Sequence, residues 1–196
     1  MSLVGHQAYL DEGGGRAEGA ERALTLAPLW PRRPRAVVVG LRPVPCSVEA
    51  GHYFHGPVGR RQLGRLAGTG LFAPPAAGGH LDDAAVAGDV GLVNLVLRPG
   101  SGAPGPDELA DGRERVVAEV TSRRVGLVVC LTRQPAIALL GRSERPGFQP
   151  GTLPGGAEVF RMPGPFAAAA DVAPVLTELR AWLDAEQPSP PDQLAQ

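Results

Sequence analysis

The chain contains no lysine; all 19 of its permanent cations are arginine. Set beside the abundance of Ala, Gly and Pro, the missing lysine reads as the codon bias of a high-GC genome. Its physical consequence is that every such cation is a planar guanidinium, able to bind phosphate bidentately and to stack on rings. Cysteine is nearly absent: Cys46 and Cys130 are the only two, and no CxxC occurs, which excludes a disulfide framework. Cys130 falls in an apolar run and is expected to be a small buried hydrophobe. The net charge of -1 excludes a globally basic field. No apolar run is long enough to span a membrane and no signal-peptide pattern is present, so a cytosolic protein is expected. Aromatic residues make up only 5% of the chain, so an aromatic outside an apolar run stands out.

What is present suits one domain with tails, 196 residues long and able to bury a substantial core. Residues 1–30 read as a mobile N-terminal arm, with a short helix near 20–26. The body is 31–186, and the Pro-rich 187–196 is expected to be disordered. Ala36–Gly40, AVVVG, reads as a buried strand, because Val is stiff at χ1 and packs on a pleated surface. Further strands are expected at 90–97, 125–131 and 158–161. Helices are expected from about 58 to 66, 80 to 87, 106 to 122 and 132 to 140, with a last one capped by Asp171. The third starts at Pro106 and carries Asp107 and Glu108 in its first turn, where the dipole favours them. The last shows an apolar stripe of Val172, Val175, Leu176, Leu179, Trp182 and Leu183. The stretch 142–156 reads as a polar loop. Strands alternating with helices imply an α/β fold: a three-layer sandwich with a mostly parallel central sheet and helices on both faces.

The chain is organised around 36–65. Pro43 and Pro45 are expected to forbid regular structure after the first strand, leaving a long loop with His52, Tyr53, Phe54 and His55. Loops at the carboxyl ends of buried strands are where α/β proteins place their chemistry. Between 32 and 65 there are seven arginines and one acid, Glu49. Such a patch either meets a phosphate backbone or is a solvated surface whose arginines do not converge.

Within this stretch, Gly40-Leu41-Arg42-Pro43-Val44 is followed, after a spacer, by Gly51-His52-Tyr53-Phe54-His55-Gly56-Pro57-Val58-Gly59-Arg60-Arg61. The pair resembles the first motif of thymine-DNA glycosylase and the bacterial mismatch-specific uracil-DNA glycosylases, G-[IL]-N-P-G and G-x-x-[FY]-x-x-P-x-N-[RH]-F-W. A second landmark, Gly91-Leu92-Val93-Asn94-Leu95-Val96-Leu97-Arg98, resembles the family's G-[VF]-T-[NK]-[LM]-V-x-R. Met162-Pro163-Gly164-Pro165-Phe166 stands where the family has its L-P-N-P-S loop, which enters the minor groove and fills the gap left by the flipped base. The resemblance covers 36 to about 185. The family's catalytic Asn is Arg42 here, its water-holding Thr is Val93, and the Asn of its second loop is Gly164.

The resemblance implies a uracil-DNA glycosylase-like fold and a DNA glycosylase that hydrolyses the N-glycosidic bond of a flipped uracil or damaged base in base-excision repair. Its partner would be duplex DNA carrying a mismatched or damaged base, in a prokaryotic nucleoid, and it would act as a monomer. Two other functions remain open: a DNA- or lesion-binding relative without catalysis, and an N-glycoside hydrolase of a free nucleoside or nucleotide. The base pocket implied is Gly40, Leu41, Pro43, Phe54, Val93 and Asn94, with Phe54 as the stacking ring or, alternatively, a core aromatic. Arg60, Arg61 and residues Met162, Pro163, Gly164, Pro165 and Phe166 would touch DNA. The catalytic candidates are Arg42, which can only donate hydrogen bonds and would stabilise a departing anionic base or, alternatively, fill the pocket or bind a phosphate, and Glu49, the one carboxylate of the loop, which could activate water. Glu49 is equally readable as a surface acid paired with an arginine. His52 and His55 lack a further ligand cluster in the sequence, so no metal and no organic cofactor are expected.

Overall fold

The computed structural model describes residues 2–10 and 22–186. Thirteen elements follow in order. Strands β1 (Gln7–Leu10) and β2 (Ala23–Leu26) come first, then β3 (Ala36–Gly40). Helices α1 (Pro45–Ala50), α2 (Pro57–Gly68) and α3 (Leu81–Ala87) lead to β4 (Val90–Asn94). Next come α4 (Pro106–Ser122), β5 (Leu127–Cys130), α5 (Arg133–Leu140), β6 (Gly147–Thr152), β7 (Glu158–Arg161) and α6 (Ala169–Glu186).

The main sheet has five strands in the order β4-β3-β5-β7-β6. All neighbours are parallel except β6, which runs antiparallel to β7. Side chains on a strand alternate between faces, and the central strand shows it directly. Val38 enters one core layer, with Leu63 and Leu66 of α2, Ala85 of α3 and Leu179 of α6. Its neighbours Val37 and Val39 enter the other, with Val116 and Val120 of α4 and Leu139 of α5. The result is an α/β sandwich with a mostly parallel sheet between helices, as the sequence predicts. Trp182 packs on the first layer and Trp30 on the second, where Arg123 lies over the Trp30 ring at 4.8 Å. Cys130 is fully buried, and burial pushes its thiol up to about 12. Among the described residues, no helix is long and apolar enough to cross a membrane.

Four expectations are corrected. Residues 23–26 form a strand, not a helix. They pair antiparallel with residues 7–10, so these parts of the expected mobile arm are tied to the body. His6 N donates to Gly51 O at 2.7 Å, and Gln7 Nε2 donates to Val48 O at 2.6 Å. The rest of the arm, 1 and 11–21, and the tail 187–196 lie outside the described residues. Second, Pro45 opens α1 rather than forbidding it. At the first helical position its fixed φ suits a helix and its missing N–H costs nothing. Third, 147–152, read as loop, is the edge strand β6. Its Gly and Pro are tolerated because an edge strand leaves one side of its backbone unpaired. Fourth, β4 stops at Asn94 rather than at 97.

Candidate functional site

The chain runs from β3 to β4 on one side and then crosses to β5 on the other. Where strand order reverses, the connections diverge and open a crevice at the carboxyl ends of the strands. A cleft of about 460 Å³ occupies that place. Gly40 and Leu41 leave β3 into it, Leu131 and Thr132 leave β5 into it, and Asn94 ends β4 against it. Cys46 and Ser47 of α1, Phe54, and Gly59 and Gln62 of α2 close the other side. A larger hollow, about 690 Å³, lies between α4 and α5, but no strand end reaches it.

Phe54 is held by its neighbours. Tyr53 is fully buried, and its backbone N donates to Asp82 Oδ2 at 2.7 Å. Anchored there, the chain turns through a left-handed conformation at Phe54, φ 54°, a geometry that costs a non-glycine residue about 1 kcal/mol or more. Two glycines make room. A Cβ on Gly59 would fall 2.3 Å from Phe54 O, and one on Gly40 would fall 2.6 Å from the Phe54 ring. The half-buried ring therefore stands at the strand end, in the cleft.

Asn94 is almost fully buried, yet its Oδ1 has no hydrogen-bond partner. Its side chain lies near the Tyr53 phenol, whose hydroxyl donates to Leu26 O at 3.5 Å. Burial raises that phenol well above its ordinary pKa, opposed chiefly by the Arg115 guanidinium. Arg115 in turn donates to Asn94 O at 2.6 Å and Leu95 O at 3.0 Å, fixing the end of β4 from behind. An orphaned buried acceptor costs about 1–3 kcal/mol unless something supplies a donor. Asn94 lines the cleft with Phe54, and its Oδ1 is buried from solvent.

Gln62 and Ser47 were not singled out from the sequence. Gln62 Nε2 donates to Leu131 O at 3.2 Å and Pro163 O at 2.9 Å, tying α2 to the β5 end and to the 162–166 loop. The available signal was its position one turn before Leu66, on the buried face of α2. Ser47 Oγ accepts from His55 N at 3.1 Å, which shapes the turn on either side of Phe54.

Other predicted site residues are placed differently. Val93 is fully buried in the layer under α4 and α5 and does not line the cleft. Strand alternation sends residue 93 to the face opposite Asn94, so its side chain does not enter the cleft. Glu49 is exposed on α1 and is not part of the cleft wall; α1 turns Ser47 and Val48 inward instead. Arg42 and Pro43 do line the cleft. The Arg42 Nη atoms, however, donate to Glu108 Oε1 at 2.8 Å and Gly102 O at 3.3 Å, while its buried Nε has no partner. Glu108 also accepts from Gly105 N at 2.9 Å, at the start of α4. Arg42 is thus a charge-neutralised clamp between the β3 end and α4. Among the described residues lining the cleft, none is Asp, Glu or His.

At the rim, Arg60 and Arg61 are exposed on α2. Arg60 Nη1 donates to His55 O at 2.6 Å, Arg61 Nη1 to Pro165 O at 3.2 Å, and Arg65 Nη1 to Gly164 O at 3.1 Å. Arg61 also lies 5.8 Å from the Phe166 ring centre, and that ring is 79% exposed. Gly164 is exposed and Pro165 half-buried at the cleft mouth. Met162 and Pro163, expected to touch DNA, are buried. Met162 N still donates to Cys130 O at 2.9 Å, extending the β7 pairing and driving the Met162 side chain into the core.

The expectation of no metal rested on His52 and His55 lacking further ligands. The fold supplies them for His52: donor atoms of His6, His52, Asp82 and Asp83 all lie within 4.8 Å of one another. This group stands outside the cleft wall. No known protein-family model matches the chain, and no curated protein matches it.

Proposed function

We propose that this protein is a DNA glycosylase of the mismatch-specific uracil/thymine type, taking a base flipped out of duplex DNA into the cleft at the β3, β4 and β5 ends. The observation that carries the reading is the pairing, in one cleft, of the Phe54 ring with the unpartnered Asn94 Oδ1. A flat ring supplies stacking worth about 1–3 kcal/mol per base. A buried acceptor without a donor selects an edge bearing N–H, such as the imide of uracil or thymine. The volume of about 460 Å³ lies within the range of small-ligand sites. Outside it, the exposed Phe166 suits a wedge in the vacated stack, and the α2 arginines suit the phosphates beside it.

In the reaction, the glycosidic bond breaks with its electron pair going to the base, and water adds at the anomeric carbon. Thr132 makes no capping bond to α5 and stands at the cleft, where its hydroxyl can orient that water. With no carboxylate or imidazole among the described lining residues, a general base's usual contribution of about 10²–10⁴ is missing, so slow turnover is expected. The same observation favours a second reading, a lesion-binding protein that does not hydrolyse. The chain has no lysine to form an imine with the opened sugar. The product strand should therefore carry an intact abasic site that breaks only on alkali treatment.

The test uses duplexes with a single G·U, G·T, G·hypoxanthine or G·ethenocytosine pair under single-turnover conditions. Base release from at least one, reduced at least about ten-fold in Phe54→Ala and Asn94→Ala, is expected. Tight binding of a mismatched duplex with no abasic product selects the non-hydrolysing reading. Absence of duplex binding at low salt removes both.

A further inference from the structure

The four histidines of the chain, His6, His52, His55 and His80, come from three distant segments and meet in one place. Their ring centres are linked by distances of 5.4 Å (His6 to His52), 3.5 Å (His52 to His80) and 6.5 Å (His52 to His55). Two carboxylates from the first turn of α3 join two of them. His6 Nε2 lies 2.8 Å from Asp83 Oδ1 and 3.6 Å from Asp82 Oδ2, and His52 Nδ1 lies 3.1 Å from Asp82 Oδ2. We propose that His6 Nε2, His52 Nδ1, Asp82 and Asp83 form a binding site for a divalent zinc-class cation that fastens the N-terminal hairpin to the turn carrying Phe54.

The donor set and its spacing point to that ion. Imidazole nitrogens and carboxylate oxygens are ordinary zinc ligands, held at about 2.0–2.2 Å in a tetrahedron whose donors stand about 3.3 Å apart. Three of the six donor separations, 2.8, 3.1 and 3.6 Å, bracket that edge, and all six lie within 4.8 Å. A neutral His6 has one Nε2 proton for two carboxylates; a central cation satisfies all four donors together. The orienting contacts of a metal site are also present. His80 stacks face to face on His52, and the Tyr53 amide donates to Asp82 Oδ2 at 2.7 Å, so His52 and Asp82 are held in position before any ion arrives. Asp83 and His6 are more exposed and sit on α3 and the arm, where small shifts can close the set. Binding would join β1, the α1–α2 turn and α3, two residues before Phe54, without adding a group to the cleft.

The full-length protein, treated with EDTA and dialysed, is titrated with Zn(II) by calorimetry and with Co(II) by visible absorption. One ion per chain is expected, with the intense visible bands of a tetrahedral Co(II) centre and a rise in Tm on adding Zn(II). His6→Ala and Asp83→Asn, both at partly exposed positions, should weaken binding at least about ten-fold and lose the Tm rise while staying folded. His55→Ala should bind as the wild type does. Stoichiometric binding that survives both His6→Ala and Asp83→Asn, or is lost in His55→Ala, overturns the assignment. So does the absence of one-to-one binding in the wild type. These readouts are independent of base release, so they stand or fall apart from the glycosylase reading.

Discussion

Gly40 sets how far the cleft can be open. A Cβ there would lie 2.5 Å from Asn94 Oδ1 and 2.6 Å from the Phe54 ring, so both groups of the proposed base site converge on one missing methyl. Gly40→Ala should therefore displace the ring and the amide together. Base release or mismatch binding should fall at least about ten-fold, while overpacking should cost stability only about 1–3 kcal/mol. Single-turnover rates beside urea melts separate the two effects. At this scale the sequence was informative about residue type and silent about direction. Phe54 and Asn94 were named from their places in the motifs of the resemblance, Phe54 also as one of the few aromatics, set in a loop rich in Gly, Pro and His. Val93 follows the opposite face of β4 from Asn94 and packs under α4 and α5, a direction its residue type does not reveal. Arg42 read as a reacting group because Glu108, which neutralises it, lies 66 positions away and only the fold brings the two together.

Among the elements, α2 and the 162–166 loop act as a unit. Gln62, Arg61 and Arg65 each donate to a carbonyl of that loop, and together they present Phe166 to solvent. Because the ring is 79% exposed, Phe166→Ala should leave Tm unchanged. It should reduce affinity for a mismatched duplex, by about ten-fold if one unstacked step is lost, while affinity for matched duplex is retained. Fluorescence anisotropy with the two duplexes checks this. Elements with strong local signals were legible: α4 runs from Pro106 to Ser122 as its Pro start and acidic first turn predict, and β7 spans the residues expected. Two of the missed elements, β6 and the β1–β2 pair, depend on partners. β6 exists because β7 offers it an edge, and the β1–β2 pair is held partly by the carbonyls of Val48 and Gly51. No local pattern encodes such a partner.

For the molecule as a whole, the buried core contains acids that hold their protons more tightly in the folded chain than in the unfolded one. The Cys130 thiol, ordinarily near 9.0, is pushed up to about 12 by burial, and burial raises the Tyr53 phenol too. Above pH 9 the unfolded chain releases the thiol proton while the folded chain keeps it, so unfolding is favoured as pH rises. Stability should be flat in this respect below that point and then fall by about 1.4 kcal/mol per pH unit from this group, until its folded value is reached. Urea melts at about pH 8 and about pH 10 should show the loss, and Cys130→Ala should show a shallower one. The layered fold itself was legible from the alternation of strands and helices, which leaves a parallel sheet few other ways to bury both faces. That layering also partitions the two tryptophans. Trp30 lies against Arg123 on the α4–α5 side, and Trp182 beside Phe148 on the α2–α6 side, with the sheet between the two layers they join. The protein thus carries two intrinsic optical reporters, one for each half of its interior. Emission from each indole, with the other replaced by Phe, distinguishes a change confined to one layer from the collapse of both.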